Sequence, residues 1–234
     1  TGRIATFNAQ RVGEFICRID MAIALCVSES PEVRGRRVNI FVMPASLANE
    51  QLRVMYVRAL RDIPAITLLD CRTSWLARAL EGPARMLALD VTHRNRRHAF
   101  YCGEGTANLD TCGWRPSGRP IIQFTSDELD RGWSLVQGLG ILPGTKFVCL
   151  HIRDGAYLRE SLPDRDWSYH DYRNPQASTF IPMVEHLITR GYVVVRMGKV
   201  VEGHLPIIDE RFVDYASSSQ RSDFLDVFLY AHSV

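Results

Sequence analysis

The feature that most constrains the fold is Lys146-Phe147-Val148-Cys149-Leu150-His151-Ile152-Arg153-Asp154-Gly155-Ala156-Tyr157-Leu158. It begins as an apolar run with β-branched and aromatic residues, the composition of a strand buried on both faces. Such strands belong to parallel sheets, whose faces are covered by the helices that connect them. Without a break the run delivers His151, Arg153 and Asp154, and Gly155 ends it. Polar side chains at one end of a buried strand imply that this end opens into a site. In open α/β sheets that site lies outside the carboxyl ends of the strands. A guanidinium there suits a phosphate, because its planar fork gives paired charge-assisted hydrogen bonds.

The rest of the chain repeats the theme. Arg3–Phe7, Arg37–Met43 and Ile66–Leu69 read as strands, and Phe15–Leu25, Asn49–Leu60 and Thr73–Leu80 as helices between or after them. Leu52, Met55, Tyr56 and Leu60 fall on one helical face. The stretch from Asp90 to Pro120 breaks the rhythm and reads as a long irregular connection. Thr125-Ser126-Asp127-Glu128 then has capping-box spacing, so a helix is expected to about Leu139. Beyond the 146–152 strand come a long polar loop, Gly155 to about Ser178, and a helix from Phe180 to Thr189. Strands at Tyr192–Met197 and Phe212–Tyr215 follow, and Ser222 is expected to cap a helix over 223–231.

Alternating strands and helices predict an α/β fold with parallel sheets. The expected layout is an N-terminal lobe over 1–120 and a C-terminal lobe over 121–234. Only three strands are legible in the second lobe, where a doubly wound lobe commonly has about five or six. That lobe therefore reads as cut short at its C-terminus.

The bulk properties narrow the function classes. A net charge of +2 gives no electrostatic case for nucleic acid or an anionic membrane as the main partner. The basic run His93-Arg94-Asn95-Arg96-Arg97-His98 lacks interleaved aromatics and reads as a solvated loop. Six cysteines are scattered without CxxC or metal-finger spacing, as in reduced cytosolic proteins, and a cytoplasmic location is expected. The apolar stretch Phe15–Val27 carries Arg18 and Asp20 and is too short to span a bilayer, which leaves room only for association with a membrane surface. GxGxxG, Walker, HExxH and GxSxG patterns are all missing, and no metal or cofactor is expected.

Several residues could carry chemistry. Period-two alternation puts His151 and Arg153 on one side of their strand, Arg153 to bind a diphosphate and His151 to orient it. Asp154 is a candidate general base. Asp166-Trp167-Ser168-Tyr169-His170-Asp171-Tyr172-Arg173-Asn174 alternates aromatic and polar groups, as a sugar or nucleotide site requires, so Tyr172, Arg173 and Asn174 join the donor-binding candidates. Arg196 ends the next strand, and if the strands are neighbours it could converge with Arg153 on one anion; a structural ion pair is the competing reading. Ser222 stands where a helix N-terminus could welcome phosphate. In the first lobe, Arg11 and Gly13 sit at a strand-to-helix turn that could meet a second substrate.

Three segments together resemble a family of bacterial glycosyltransferases found in surface-polysaccharide contexts. They are His151 to Leu158, Tyr169 to Asn174, and Gly191-Tyr192-Val193-Val194-Val195-Arg196-Met197-Gly198. Asp214-Tyr215 and Ser222-Asp223-Phe224-Leu225-Asp226 fit the same pattern. Arg11-Val12-Gly13-Glu14 is similar to that family's early Arg-Ile-Gly-His turn, with Glu14 where the family has His. More distantly, the His-x-Arg strand end resembles the donor motif of fucosyltransferases with the GT-B fold. The resemblance implies two Rossmann-like lobes, acceptor in the first and nucleotide-sugar in the second, with Arg153 on the donor's diphosphate and no metal ion. The activity expected is transfer of a sugar from a nucleotide diphosphate-sugar to a glycan or lipid-linked acceptor. The competing expectations are a non-catalytic sugar- or nucleotide-binding module and a sugar-nucleotide epimerase or hydrolase.

Overall fold

The computed structural model describes residues 2–7, 11–28, 30, 32, 36, 38–64, 66–89, 120–161, 163–164 and 166–234. The expected irregular connection and its basic run, with Cys102 and Cys112, lie outside the described residues apart from Pro120, as does Gln10. The chain is α/β and divides into two compact units, 1–124 and 125–234.

The first unit holds strands β1 (Gly2–Thr6), β2 (Val38–Met43) and β3 (Ile66–Asp70) in a parallel sheet of order β1-β2-β3. Parallel neighbours need crossovers, and helices supply them: α1 (Val12–Ser28) and α2 (Glu50–Arg61) between strands, α3 (Trp75–Leu89) after β3. Side chains alternate across the sheet. Ile40 and Val42 pack with Cys71 and Ala77 toward α3. Phe41, one residue over, meets Phe7, whose ring also packs edge-on against Phe15 of α1, and Phe15 meets Tyr56 of α2. The unit is therefore a three-layer α/β/α sandwich. Asn49 caps α2 by accepting from Leu52 N–H at 3.0 Å.

α3 departs from the expectation. The expected helix ends at Leu80, yet it runs through Pro83 to Leu89. Proline costs one intrahelical hydrogen bond and crowds the preceding turn, and ahead of it Ala77 packs against the sheet.

The second unit opens with α4 (Ser126–Gly138), whose capping box forms in full: Thr125 Oγ1 accepts from Glu128 N–H, and Glu128 Oε2 from Thr125 N–H. Strands β4 (Phe147–His151), β5 (Val193–Met197) and β6 (Phe212–Val213) form a parallel sheet of order β4-β5-β6. The expected long loop between β4 and β5 instead holds a short helix α5 (Ala156–Ser161) and two 3-10 turns (Ser168–Arg173, Ala177–Phe180) before helix α6 (Ile181–Thr189). Leu150, Ile152 and Val194 pack on Val184 of α6. The last helix, α7 (Asp223–His232), starts where Ser222 Oγ accepts from Leu225 N–H.

One hydrogen bond shows which edge of β4 faces β5. Val193 N–H donates to Lys146 O, so the Lys146 carbonyl faces β5. Successive strand carbonyls point to opposite edges, and the Phe147 carbonyl accordingly faces away from β5, where it accepts from Val234 N–H at 3.1 Å. The chain thus advances from β4 through β5 to β6, then returns through α7 to the far edge of β4.

Among the described residues no helix is long and apolar enough to cross a membrane.

Candidate functional site

Open α/β sheets bind ligands outside the carboxyl ends of their strands, and the carboxyl end of β4 is such an edge. His151 is exposed there, and Ile152 is drawn into the core. Arg153 follows, half-buried, and its Nε donates to Asn174 Oδ1 at 3.1 Å. Asn174 Nδ2 in turn donates to Asp171 Oδ1 at 3.1 Å. The 168–174 turn is thereby the device that orients the Arg153 fork. Among the described residues its two terminal nitrogens have no other partner. Trp167 is buried and stacks on Tyr169 with centroids 6.2 Å apart, anchoring the turn. Tyr172 is 85% exposed and Arg173 also faces solvent.

Asp154 does different work. Its Oδ1 accepts from Ala156 N–H at 2.9 Å, opening α5, and its Oδ2 accepts from Glu202 N–H at 3.0 Å. Both oxygens hold backbone, so Asp154 fastens the β5–β6 connection to the end of β4. An ion pair between Arg159 and Glu202 reinforces the same join.

Arg196 turns inward. It pairs in register with Leu150 and shares the face of Val194, which packs against α6. It is 1% exposed. Nη1 donates to Gly203 O at 2.8 Å and lies 3.3 Å from Asp214 Oδ2, while Nη2 donates to Glu202 O at 3.4 Å. The two strands are neighbours, as the convergence argument required, yet the guanidinium is committed to Asp214 and to loop carbonyls. The structural ion pair describes Arg196, and Arg153 remains a cation that this edge presents. Gly198 just beyond is needed for a close approach: a Cβ there would lie 2.4 Å from Val201 Cγ1.

Ser222 also serves structure. Its hydroxyl caps α7, and its amide donates to Tyr215 OH at 3.0 Å. Tyr215 OH lies 2.9 Å from Asp226 Oδ1, and Arg221 Nη2 lies 3.1 Å from Asp226 Oδ2. Burial raises the Asp226 carboxyl above its ordinary range, Arg221 opposing, and burial likewise pushes the Tyr215 phenol up. Asp223 and Asp226 in the first turn make this helix end unwelcoming to an anion.

In the first unit, Arg11 and Gly13 are exposed at the start of α1, where Arg11 O accepts from Phe15 N–H. The carboxyl edge of that sheet is filled by ion pairs that motif reading passed over. Arg53, buried at 4%, reaches Asp70 at 2.7 Å and the Pro44 carbonyl, and Arg72 reaches Glu50 at 2.7 Å.

Motif reading also passed over His204. Its Nδ1 lies 3.2 Å from Asp214 Oδ2, and its side chain is 78% exposed. Ser217 Oγ donates to the same oxygen at 3.2 Å. The signal in the sequence was one histidine in a loop with an aspartate ten residues on, a spacing that matches no motif.

Comparison with protein-family models, with curated proteins and with solved structures returned no match.

Proposed function

We propose that the chain is a glycosyltransferase of the GT-B type. It would move a sugar from a nucleotide diphosphate-sugar to a hydroxyl of a glycan or lipid-linked acceptor. The second unit takes the donor and the first unit the acceptor. The observation that carries this reading is Arg153: a guanidinium just beyond the carboxyl end of β4, steered through Nε by Asn174, whose terminal nitrogens have no partner among the described residues. A planar fork of that kind matches a diphosphate bidentately. In transfer the leaving diphosphate gains charge as the glycosidic bond breaks, and a fixed cation stabilises that charge without a divalent ion. Tyr172 offers an exposed ring face to a base or sugar beside it.

The test is a thermal-shift screen of uridine and guanosine diphosphates and their sugars, on wild type and on Arg153→Ala. A ligand at about 100 times its Kd stabilises the folded state by roughly 2.7 kcal/mol, a rise of several degrees for a chain of this size. The expected result is such a rise in wild type and its loss in Arg153→Ala, with the unliganded melting temperature unchanged. Equal shifts in both proteins, or none with any nucleotide, would overturn the reading.

A further inference from the structure

We propose that His204, held by Asp214, is the general base that takes the proton from the attacking acceptor hydroxyl; the inference rests on the transfer reading above. A carboxylate can only accept, so Asp214 Oδ2 at 3.2 Å fixes the proton of a neutral His204 on Nδ1. Nε2 then carries a lone pair, and the ring that bears it is 78% exposed. A carboxylate that orients an imidazole in this way is the recurrent arrangement for general-base work.

The dyad is built in. Asp214 Oδ2 also accepts from Ser217 Oγ at 3.2 Å and meets Arg196 Nη1 at 3.3 Å. The same guanidinium holds the carbonyls of Glu202 and Gly203, the two residues before His204. One buried cation therefore fixes both members. Asp154, the base suggested by sequence, has both oxygens on backbone amides, and one of those amides belongs to Glu202. Two residues of extended chain span no more than about 7 Å, so His204 shares the edge that carries Arg153. Among the described residues the charged group in contact with the ring is Asp214, itself held by Arg196, and Glu202 lies two residues before it in the chain.

In the step so defined, Nε2 takes the hydroxyl proton as the acceptor oxygen bonds to the anomeric carbon. The bond from that carbon to the diphosphate oxygen breaks, and its electron pair leaves on the diphosphate against Arg153. His204 ends as an imidazolium facing Asp214.

The experiment uses the full chain and the uridine and guanosine diphosphate-sugars of the thermal screen, with water as the acceptor. His204→Gln is expected to lower kcat by about 100-fold or more while keeping the donor-induced rise in melting temperature. His204→Gly should regain turnover on addition of imidazole, which a merely structural role would not produce. Nitrogen-15 spectra should show the wild-type ring protonated on Nδ1, and Asp214→Asn should disturb that tautomer. Wild-type-like kcat in His204→Gln, or no imidazole rescue, overturns the base and leaves the transferase reading standing. A ring protonated on Nε2 overturns the dyad whether or not donor is consumed. A wild type that consumes no donor overturns the transfer reading and the base together.

Discussion

Arg153 and Arg196 close neighbouring strands with the same side chain, and their surroundings send them to different tasks. Arg196 lies within its strand, facing the core and a carboxylate. Arg153 lies beyond its strand, with one nitrogen steered by an amide. Asn174 is thus a positioning residue, and its loss has a definable size. Hydrogen bonds to charged groups contribute about 1.5–3 kcal/mol, so Asn174→Ala should weaken donor binding by roughly tenfold or more. Asn174→Asp, which keeps the acceptor oxygen, should lose less. Calorimetric titration of the nucleotide decides it, and a change under twofold in the alanine variant would remove Asn174 from this role. At this scale the sequence was informative where the chain itself places a residue, as a polar group directly after an apolar run. Arg196 and His204 were opaque because Asp214, the partner of both, lies 18 and 10 positions away.

Elements were legible wherever local rules act alone. The capping box at Thr125 and the cap at Ser222 form as their spacing demands. The short helix and 3-10 turns between β4 and β5 were missed because six residues or fewer carry almost no periodicity. Gly132 shows a tertiary cause overriding a local one. By propensity alone, glycine within α4 costs about 1 kcal/mol against alanine. A Cβ at that position would lie 2.1 Å from the Phe228 ring, which packs edge-on against Trp133. The glycine is what lets α4 and α7 approach. Gly132→Ala should therefore destabilise the protein by about 1–3 kcal/mol, the usual cost of overpacking. Urea unfolding measures this directly, and a stabilised variant would contradict the packing argument.

For the whole molecule, alternation of strand and helix was enough to indicate α/β architecture, since parallel sheets need crossovers. The return of the chain to the far edge of β4 was not readable, because it rests on which way single carbonyls face. Electrostatics adds a stability effect that no motif announces. Burial raises the Asp226 carboxyl in the folded state, so across the window just above its ordinary value of 3.8 the folded form holds more proton than the unfolded one. Stability from this group is therefore present at low pH and lost as pH rises through the window. Asp226→Asn removes the ionisation while leaving a group that can still bond Tyr215. The stability of that variant relative to wild type should rise from pH 3.5 to 6 in urea titrations. A difference that stays flat or falls would show that Arg221 outweighs burial.

The join between Asp154 and Glu202, seen so far as a matter of geometry, also decides when ordering entropy is lost. Fixing a residue's backbone costs about 1–2 kcal/mol, and a binding loop left loose would lose that freedom on meeting its ligand. Here the segment before His204 is already held by Asp154 and Arg196. Its disorder is given up on folding, and a ligand arriving at this edge meets a surface whose entropy has already been lost.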